Sequence, residues 1–292
     1  MVSLFSDEAV NFAIQRGIQL SKSDVHYFKH NDMDDLERIL KSIDEDRLRK
    51  KKRLTRRFII VEGLYQNTGT ISPLPDIIRL KYQYKYRLIL DESLSFGAIG
   101  KKSLGVIDYH CQNAVDVDII TGSLSNTLGA AGGFCVGAKH ITDHQVLSSA
   151  AYCYSASLPA FLAAAAIFNL DRLDKEGQDI SAKLSKNIEQ FRTDFNPCPY
   201  NMELKGSKDS PLIYLSFKTN ARQNLKEERA GLKAILASVK QQGFLLSLYK
   251  FVGSDERTNL RPMIKVAISA SSSPAEISAM AKALLRACTQ AK

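Results

Sequence analysis

The chain has 292 residues, of which 45% are hydrophobic and 24% charged; that balance supports a buried core and excludes a disordered or low-complexity protein. Its formal charge of +9 is local: RLRKKKRLTRR (47–57) holds Arg47, Arg49, Lys50, Lys51, Lys52, Arg53, Arg56 and Arg57, and without these eight the balance falls from +9 to +1, which excludes a nucleic-acid-binding surface spread over the fold. No apolar run reaches the roughly 18 residues of a membrane span, and residues 1–20 contain no secretory apolar region.

In chain order, DEAVNFAIQRG (7–17) reads as a helix stopped by Gly17, and VHYF (25–28) as a strand. Asp32 is placed to cap a helix over 33–43, with acids in its first turn. The basic run 47–57 then reads as a solvated connecting loop. FIIVEGLY (58–65) is a continuous apolar strand, as a sheet buried on both faces requires. A helix over 74–85 has Pro at its entry. Strands over 87–93, 117–124 and 132–138 follow, with Cys135 in the last read as a small core residue. Helices continue to about residue 194, among them PAFLAAAAIFNL (159–170), which reads as buried. NPCPYN (196–201), with two prolines, opens the second part. There a strand over 211–217 precedes an amphipathic helix over 224–243 that ends in Gly243. Strands over 244–250 and 263–269 and a helix over 273–287, entered at Ser273-Pro274, complete it. The five cysteines are widely spaced, odd in number and form no CxxC, a pattern of reduced thiols. The fold class is α/β: a mostly parallel sheet in a large domain over 1–170, then a connecting helix and a smaller α+β domain over 171–292.

In open parallel sheets, ligands bind beyond the carboxyl ends of the strands. Three such ends stand out: EGLYQNTG (62–69), DESLSFG (91–97) and GSLSNTLG (122–129). Asp91 closes an apolar strand, where an acid either caps a turn or meets a buried positive partner. The glycine-rich loop has neither GxxxxGK[ST] nor GxGxxG, so no P-loop or Rossmann fingerprint is present. Its central residue is Asn126, which is neither nucleophile, acid nor base. His140 and His144 are one helical turn apart, but no third ligand is near in sequence, so a solvated helix start is the simpler reading than a metal site.

Several blocks together carry a resemblance: FKHNDMDDLE (28–37), VEGLYQNTGTISPLP (61–75), DESLSFGAIG (91–100), GGFCVGAKHITDHQ (132–145) and YCYSASLPAFLAAAAI (152–167). The chain resembles the subunit-1 family of serine palmitoyltransferase, among the α-oxoamine synthases. The resemblance implies the fold-type-I pyridoxal-phosphate-dependent transferase architecture, with the large domain incomplete at its N-terminus. The family's membrane-anchoring helix and the first part of its large domain lie upstream of the segment matching Met1. In catalytic relatives the loop reads roughly T-F-S-K-x-x-G; Ser123 takes the Thr position, and Asn126 takes the position of the Schiff-base lysine. An amide cannot form a Schiff base. The strand-end motif D-E-A-H keeps its acid as Asp91, the partner of the pyridinium nitrogen, while Leu94 replaces its His. The resemblance thus implies no catalytic side chain here.

It also implies a heterodimer in which a lysine-bearing subunit 2 holds most of the pyridoxal phosphate contacts and condenses L-serine with palmitoyl-CoA to 3-ketodihydrosphingosine, the first step of sphingolipid synthesis. Asp91, Ser123, Ser155 and Ser157 are the cofactor-binding candidates, vestigial or at the partner's site. The alternative role for Ser155 and Ser157 is capping the helix that follows. Membrane association would come through the complex, at the cytosolic face of the endoplasmic reticulum, with no nucleic acid and no metal. One rival reading is an active enzyme using a displaced lysine, Lys101 or Lys139. Another is a basic protein using 47–57 on anionic lipid or nucleic acid.

Overall fold

The computed structural model describes residues 2–51, 53–199, 201–218, 224–249, 257 and 261–290. Lys52 of the basic run, Tyr200 of NPCPYN and Lys250 of the expected strand 244–250 lie outside them. The chain divides into two compact units, residues 1–65 with 72–178 and residues 66–71 with 179–292.

The first unit holds a six-stranded sheet in the order β2-β1-β3-β4-β5-β6. Its strands are β1 (Val2–Asp7), β2 (Asp24–Phe28), β3 (Arg56–Glu62), β4 (Arg87–Asp91), β5 (Ile119–Ser123) and β6 (Gly133–Gly137). All pairings are parallel except that of β6, which runs antiparallel to β5. β3 and β4 are the apolar runs expected: Ile59, Val61, Leu88 and Leu90 are fully buried. The helices are α1 (Phe12–Leu20), α2 (Met33–Arg49), α3 (Leu74–Tyr84), α4 (Val106–Tyr109), α5 (Lys139–Ser148), α6 (Ala150–Cys153) and α7 (Ala160–Asp194), the last reaching into the second unit.

Four local expectations are corrected. Residues 7–17 are not one helix: β1 ends at Asp7 and α1 starts at Phe12, where Asn11 accepts from the Ala13 amide at 2.8 Å. Asp7 belongs to β1, which pairs with both β2 and β3, and residues 8–11 form the connection before α1. Gly17 then sits inside α1, a tolerated cost of about 1 kcal/mol. The basic run is not one connecting loop either. α2 continues to Arg49 because Asp44–Arg47 (3.0 Å) and Asp46–Arg49 (2.6 Å) pair one turn apart. Arg57 is buried in β3, donates to Asp44 (3.2 Å) and to the Tyr84 carbonyl (2.8 Å), and lies over the Tyr86 ring. Cys135 is half-buried on the edge strand β6 and is no core residue, since only β5 pairs with β6. Finally, α7 begins at the expected place but is not buried there: Phe161 and Phe168 are 72% and 69% exposed.

The second unit holds an antiparallel sheet, β7-β8-β10-β9: β7 (Met202–Lys205), β8 (Leu212–Phe217), β9 (Ser247–Leu248) and β10 (Ile264–Ala267). β7 is not anticipated by the sequence pattern. The strand expected over 244–250 shrinks to β9, because only Ser247 and Leu248 of its described residues pair with β10. α8 (Leu225–Gln241), capped by Asn224, and α9 (Pro274–Gln290) contribute Leu232, Ile235, Val239, Ile277 and Leu284 to one apolar core with Ile213, Leu215 and Val266.

Candidate functional site

The parallel strands bring their carboxyl ends to one edge of the first sheet, where Asp7, Glu62, Asp91 and Ser123 close β1, β3, β4 and β5. Asp91 closes β4 beside Glu62 of β3 and Thr121 of β5. One of its carboxylate oxygens accepts from the Ser93 amide (2.9 Å), the other from the Thr121 hydroxyl (2.9 Å). Asp91 therefore caps the turn and ties β4 to β5; no cation is among these partners.

The loop after β5 folds onto the loop after β4. The Asn126 amide donates to the Ser93 carbonyl (2.7 Å), and the Thr127 hydroxyl donates to the Phe96 carbonyl (2.8 Å). Gly97, at φ 80°, lets the two loops approach: a Cβ there would stand 2.5 Å from Thr127 Oγ1. Ser123 shares a 2.7 Å hydrogen bond with Ser125 and accepts from its amide. Leu128 is buried beneath the loop, and Asn169 of α7 donates to its carbonyl (2.9 Å). Leu94 is half-buried on the facing loop. The structure thus brings Asp91, Leu94, Ser123 and Asn126 onto adjoining strand ends.

Ser155 and Ser157 lie in the exposed stretch between α6 and α7. α7 starts at Ala160, which leaves Pro159 at the capping position, and neither serine hydroxyl hydrogen-bonds another described residue. Capping is therefore not their role in this fold. His140 and His144 are exposed on α5. Lys139 pairs with Asp143 at 2.7 Å, and Lys101 is exposed in a turn.

Two clusters at the same edge escape the sequence pattern. Glu92 is buried, and its carboxylate accepts from the Val106 amide (3.0 Å) and from the Ser95 hydroxyl. Burial outweighs these hydrogen bonds and pushes its pKa up to about 7. Gly105 is the residue that fits against it, since a Cβ there would strike the carboxylate. The second cluster centres on Asp7, fully buried at the end of β1. It receives the Tyr65 hydroxyl (3.0 Å), the Asn31 amide (2.9 Å) and the Ala9 amide (2.8 Å), and His30 Nδ1 lies 2.9 Å away. Burial first, and the Asp7 charge next, push the Tyr65 phenol well above its ordinary value. A polar residue closing an apolar strand was the available signal for Asp7, hidden by the helical reading of 7–17.

A mostly parallel sheet that ends in one antiparallel strand, with an acid closing β4 beside the loop after β5, defines the class of protein: the chain belongs to the aminotransferase class I and II family, whose profile matches residues 10–284. Among particular proteins, it is 42% identical to long chain base biosynthesis protein 1c of Oryza sativa subsp. japonica over 216 residues, 74% of this chain and 44% of that one. It is 36% identical to serine palmitoyltransferase 1 of Dictyostelium discoideum over 289 residues, 97% of this chain and 59% of that one. The chain thus spans about half the length of the curated relatives it matches. In fold it is similar to Sphingomonas wittichii serine palmitoyltransferase, with a TM-score of 0.83 at 20% identity over 99% of this chain and 67% of that one. Another neighbour in fold, at TM-score 0.82 and 19% identity, is a serine palmitoyltransferase from S. paucimobilis solved with a bound PLP–myriocin aldimine.

The residues present do not fit a covalently held pyridoxal phosphate. Asn126 offers no primary amine, and its amide is committed to Ser93. Asp91 is half-buried and each of its oxygens accepts one hydrogen bond, which leaves acceptor capacity over, so the misfit lies at Asn126 and Leu94. Leu94 has no polar atom to place against a ring.

Proposed function

We propose that this chain is the lysine-lacking subunit of a serine palmitoyltransferase. A lysine-bearing partner holds the pyridoxal phosphate and joins L-serine to palmitoyl-CoA, giving 3-ketodihydrosphingosine, carbon dioxide and CoA. The observation that carries the proposal is Asn126, bonded to Ser93 on the loop where a catalytic relative needs its lysine. The loop scaffold is kept while the amine is gone, which suits a supporting subunit.

A second observation favours a partner. The first unit leaves Val136 on β6, Leu147 on α5, Tyr152 on α6, Tyr154 beside it and Phe161 and Phe168 on α7 in solvent, each more than half exposed, and Ser155 and Ser157 lie in the chain between α6 and α7. Such a patch marks a protein interface more often than a bare surface. In this reading Ser155 and Ser157 reach toward the partner's cofactor phosphate, and Asp91 and Ser123 are vestiges of a former site. The complex would work at the cytosolic face of the endoplasmic reticulum membrane; no helix among the described residues is long and apolar enough to cross a membrane.

Co-expression with a lysine-bearing subunit, capture through this chain and assay of serine incorporation test the proposal. Co-capture with activity, and borohydride-fixed cofactor on the partner alone, are expected. Failure to associate, or cofactor fixed on this chain, would overturn it.

A further inference from the structure

The edge of the first sheet opposite the candidate site has a composition of its own. β2 starts at Asp24, β3 at Arg56, β4 at Arg87 and β5 at Ile119. Because these strands are parallel, the turns leading into them all open on the amino edge. Each of those turns holds an apolar side chain in solvent: Leu20 at the end of α1 (81% exposed), Leu48 and Leu54 flanking the basic turn (60% and 50%), Tyr82 in the last turn of α3 (58%) and Val115 before β5 (82%). Between them stand Lys22, Lys51, Arg53, Arg56, Lys85 and Arg87, all exposed and none in an ion pair among the described residues.

Among the described residues, half of the acids of this edge are neutralised by cations, and the six unpaired cations outnumber the rest. Asp44 binds Arg47 and Arg57, and Asp46 binds Arg49 and Lys50. Asp118 binds Lys81 at 2.7 Å, whereas the Asp116 carboxylate accepts from the neutral Tyr82 hydroxyl at 2.6 Å and Asp24 lies 3.3 Å from His26, so these two acids count against the cations. Glu45 is the acid of the last turns of α2 left without a partner among the described residues. The edge is therefore positive, and its apolar groups project from separate turns.

We propose that this edge docks on an anionic membrane surface. The separate apolar side chains enter the headgroup region, and the cations on their flexible stems meet lipid phosphates and carboxylates. A protein partner would need an inverse surface for each projection, whereas a fluid bilayer adapts to all of them. The uncompensated charge sets the sign of the partner. This inference does not depend on the proposed function; it would orient the opposite edge, with Asp91 and Asn126, away from the bilayer.

The test is sedimentation of the full chain with vesicles of phosphatidylcholine, with or without about one third phosphatidylserine, at low and high salt. Expected is binding to the anionic vesicles, weakened by salt. At about fivefold per cation near such a surface, K51E/R53E/R56E should lose about a hundredfold or more in affinity. L20S/V115S should lose less, and circular dichroism should show both variants folded. Neither variant alters the apolar face around Phe161 and Phe168, so residual binding reports on that face. Equal binding to neutral vesicles, or full binding by the triple charge variant, would overturn the proposal. So would binding of a single-stranded oligonucleotide through these cations without binding of vesicles.

Discussion

The side-chain amide of Asn126 donates to the main-chain carbonyl of Ser93 across 2.7 Å, joining the loop after β5 to the loop after β4. That bond gives a structural use to a residue that has no acid–base or nucleophilic chemistry. A lysine at this place would have no such short-range task and would stand free to react. The amide ties the two loops together without offering an amine.

Asn126→Ala should therefore loosen both loops without unfolding the chain. Asn126 is exposed, so the loss of one hydrogen bond should lower stability by no more than about 1 kcal/mol. Amide exchange should quicken at 92–97 and 123–130 and stay unchanged in β3. Unchanged exchange in both loops would show that the bond does not organise them.

Asn126→Lys should not by itself produce a lysine-bound cofactor. The new amine would meet an Asp91 already bonded to Ser93 and Thr121, and a leucine at 94. Covalent capture requires the ring to be held as well as attacked. Addition of pyridoxal phosphate, borohydride reduction and peptide mass spectrometry provide the readout. Stoichiometric labelling confined to position 126 would contradict the claim that the site is lost.

Glu92 should make stability fall as pH rises. Its pKa stands near 7 in the fold against an ordinary value of 4.5. Between those values the folded chain binds more protons than the unfolded one, so unfolding free energy declines from about pH 4.5 to about pH 7 and levels off above. The decline attributable to this group is about 3 kcal/mol. Glu92→Gln should remove it, so urea midpoints of the variant at pH 5 and pH 8 should lie closer together than those of the parent. An identical pH dependence in both proteins would rule out Glu92 as its source.

Ser155→Ala with Ser157→Ala should lower the activity of the assembled complex and leave assembly intact. Their hydroxyls have no described partner in this chain, so a cost from their loss would arise across the interface. A donor removed from a charged acceptor costs roughly 1–3 kcal/mol, or about tenfold or more in rate. Unchanged kinetics would end their assignment to the partner's cofactor.

The chain purified alone should associate through its exposed apolar face and the open edge of β6. Phe161→Glu with Phe168→Glu should narrow the size distribution on gel filtration and abolish capture of the lysine-bearing subunit. A monodisperse parent chain, or retained capture by the variant, would show that this face is not the interface.

Some of this molecule follows from the chain alone. The apolar runs that become β3 and β4 read as strands from the chain alone, because they are short, rich in Ile, Val and Leu, and continuous as a sheet covered on both faces requires. The Asp32 cap is equally local: it accepts from the Asp35 amide three residues on. That residue 126 is an amide and residue 94 an aliphatic side chain is a fact of residue type. Other features belong to tertiary structure, because they depend on neighbours remote in sequence. β1 has no signature of its own in the sequence and is defined by its pairing with two parallel neighbours. Arg57 looked like one more solvated cation until Asp44 and the Tyr84 carbonyl enclosed it. Asp7, His30 and Tyr65 come from three separate strand ends, and no spacing in the chain announces their meeting. The helix that starts at Ala160 carries the periodicity of a buried element, yet Phe161 and Phe168 face water. Periodicity fixes which face of a helix is apolar; whether that face is covered depends on what packs against it.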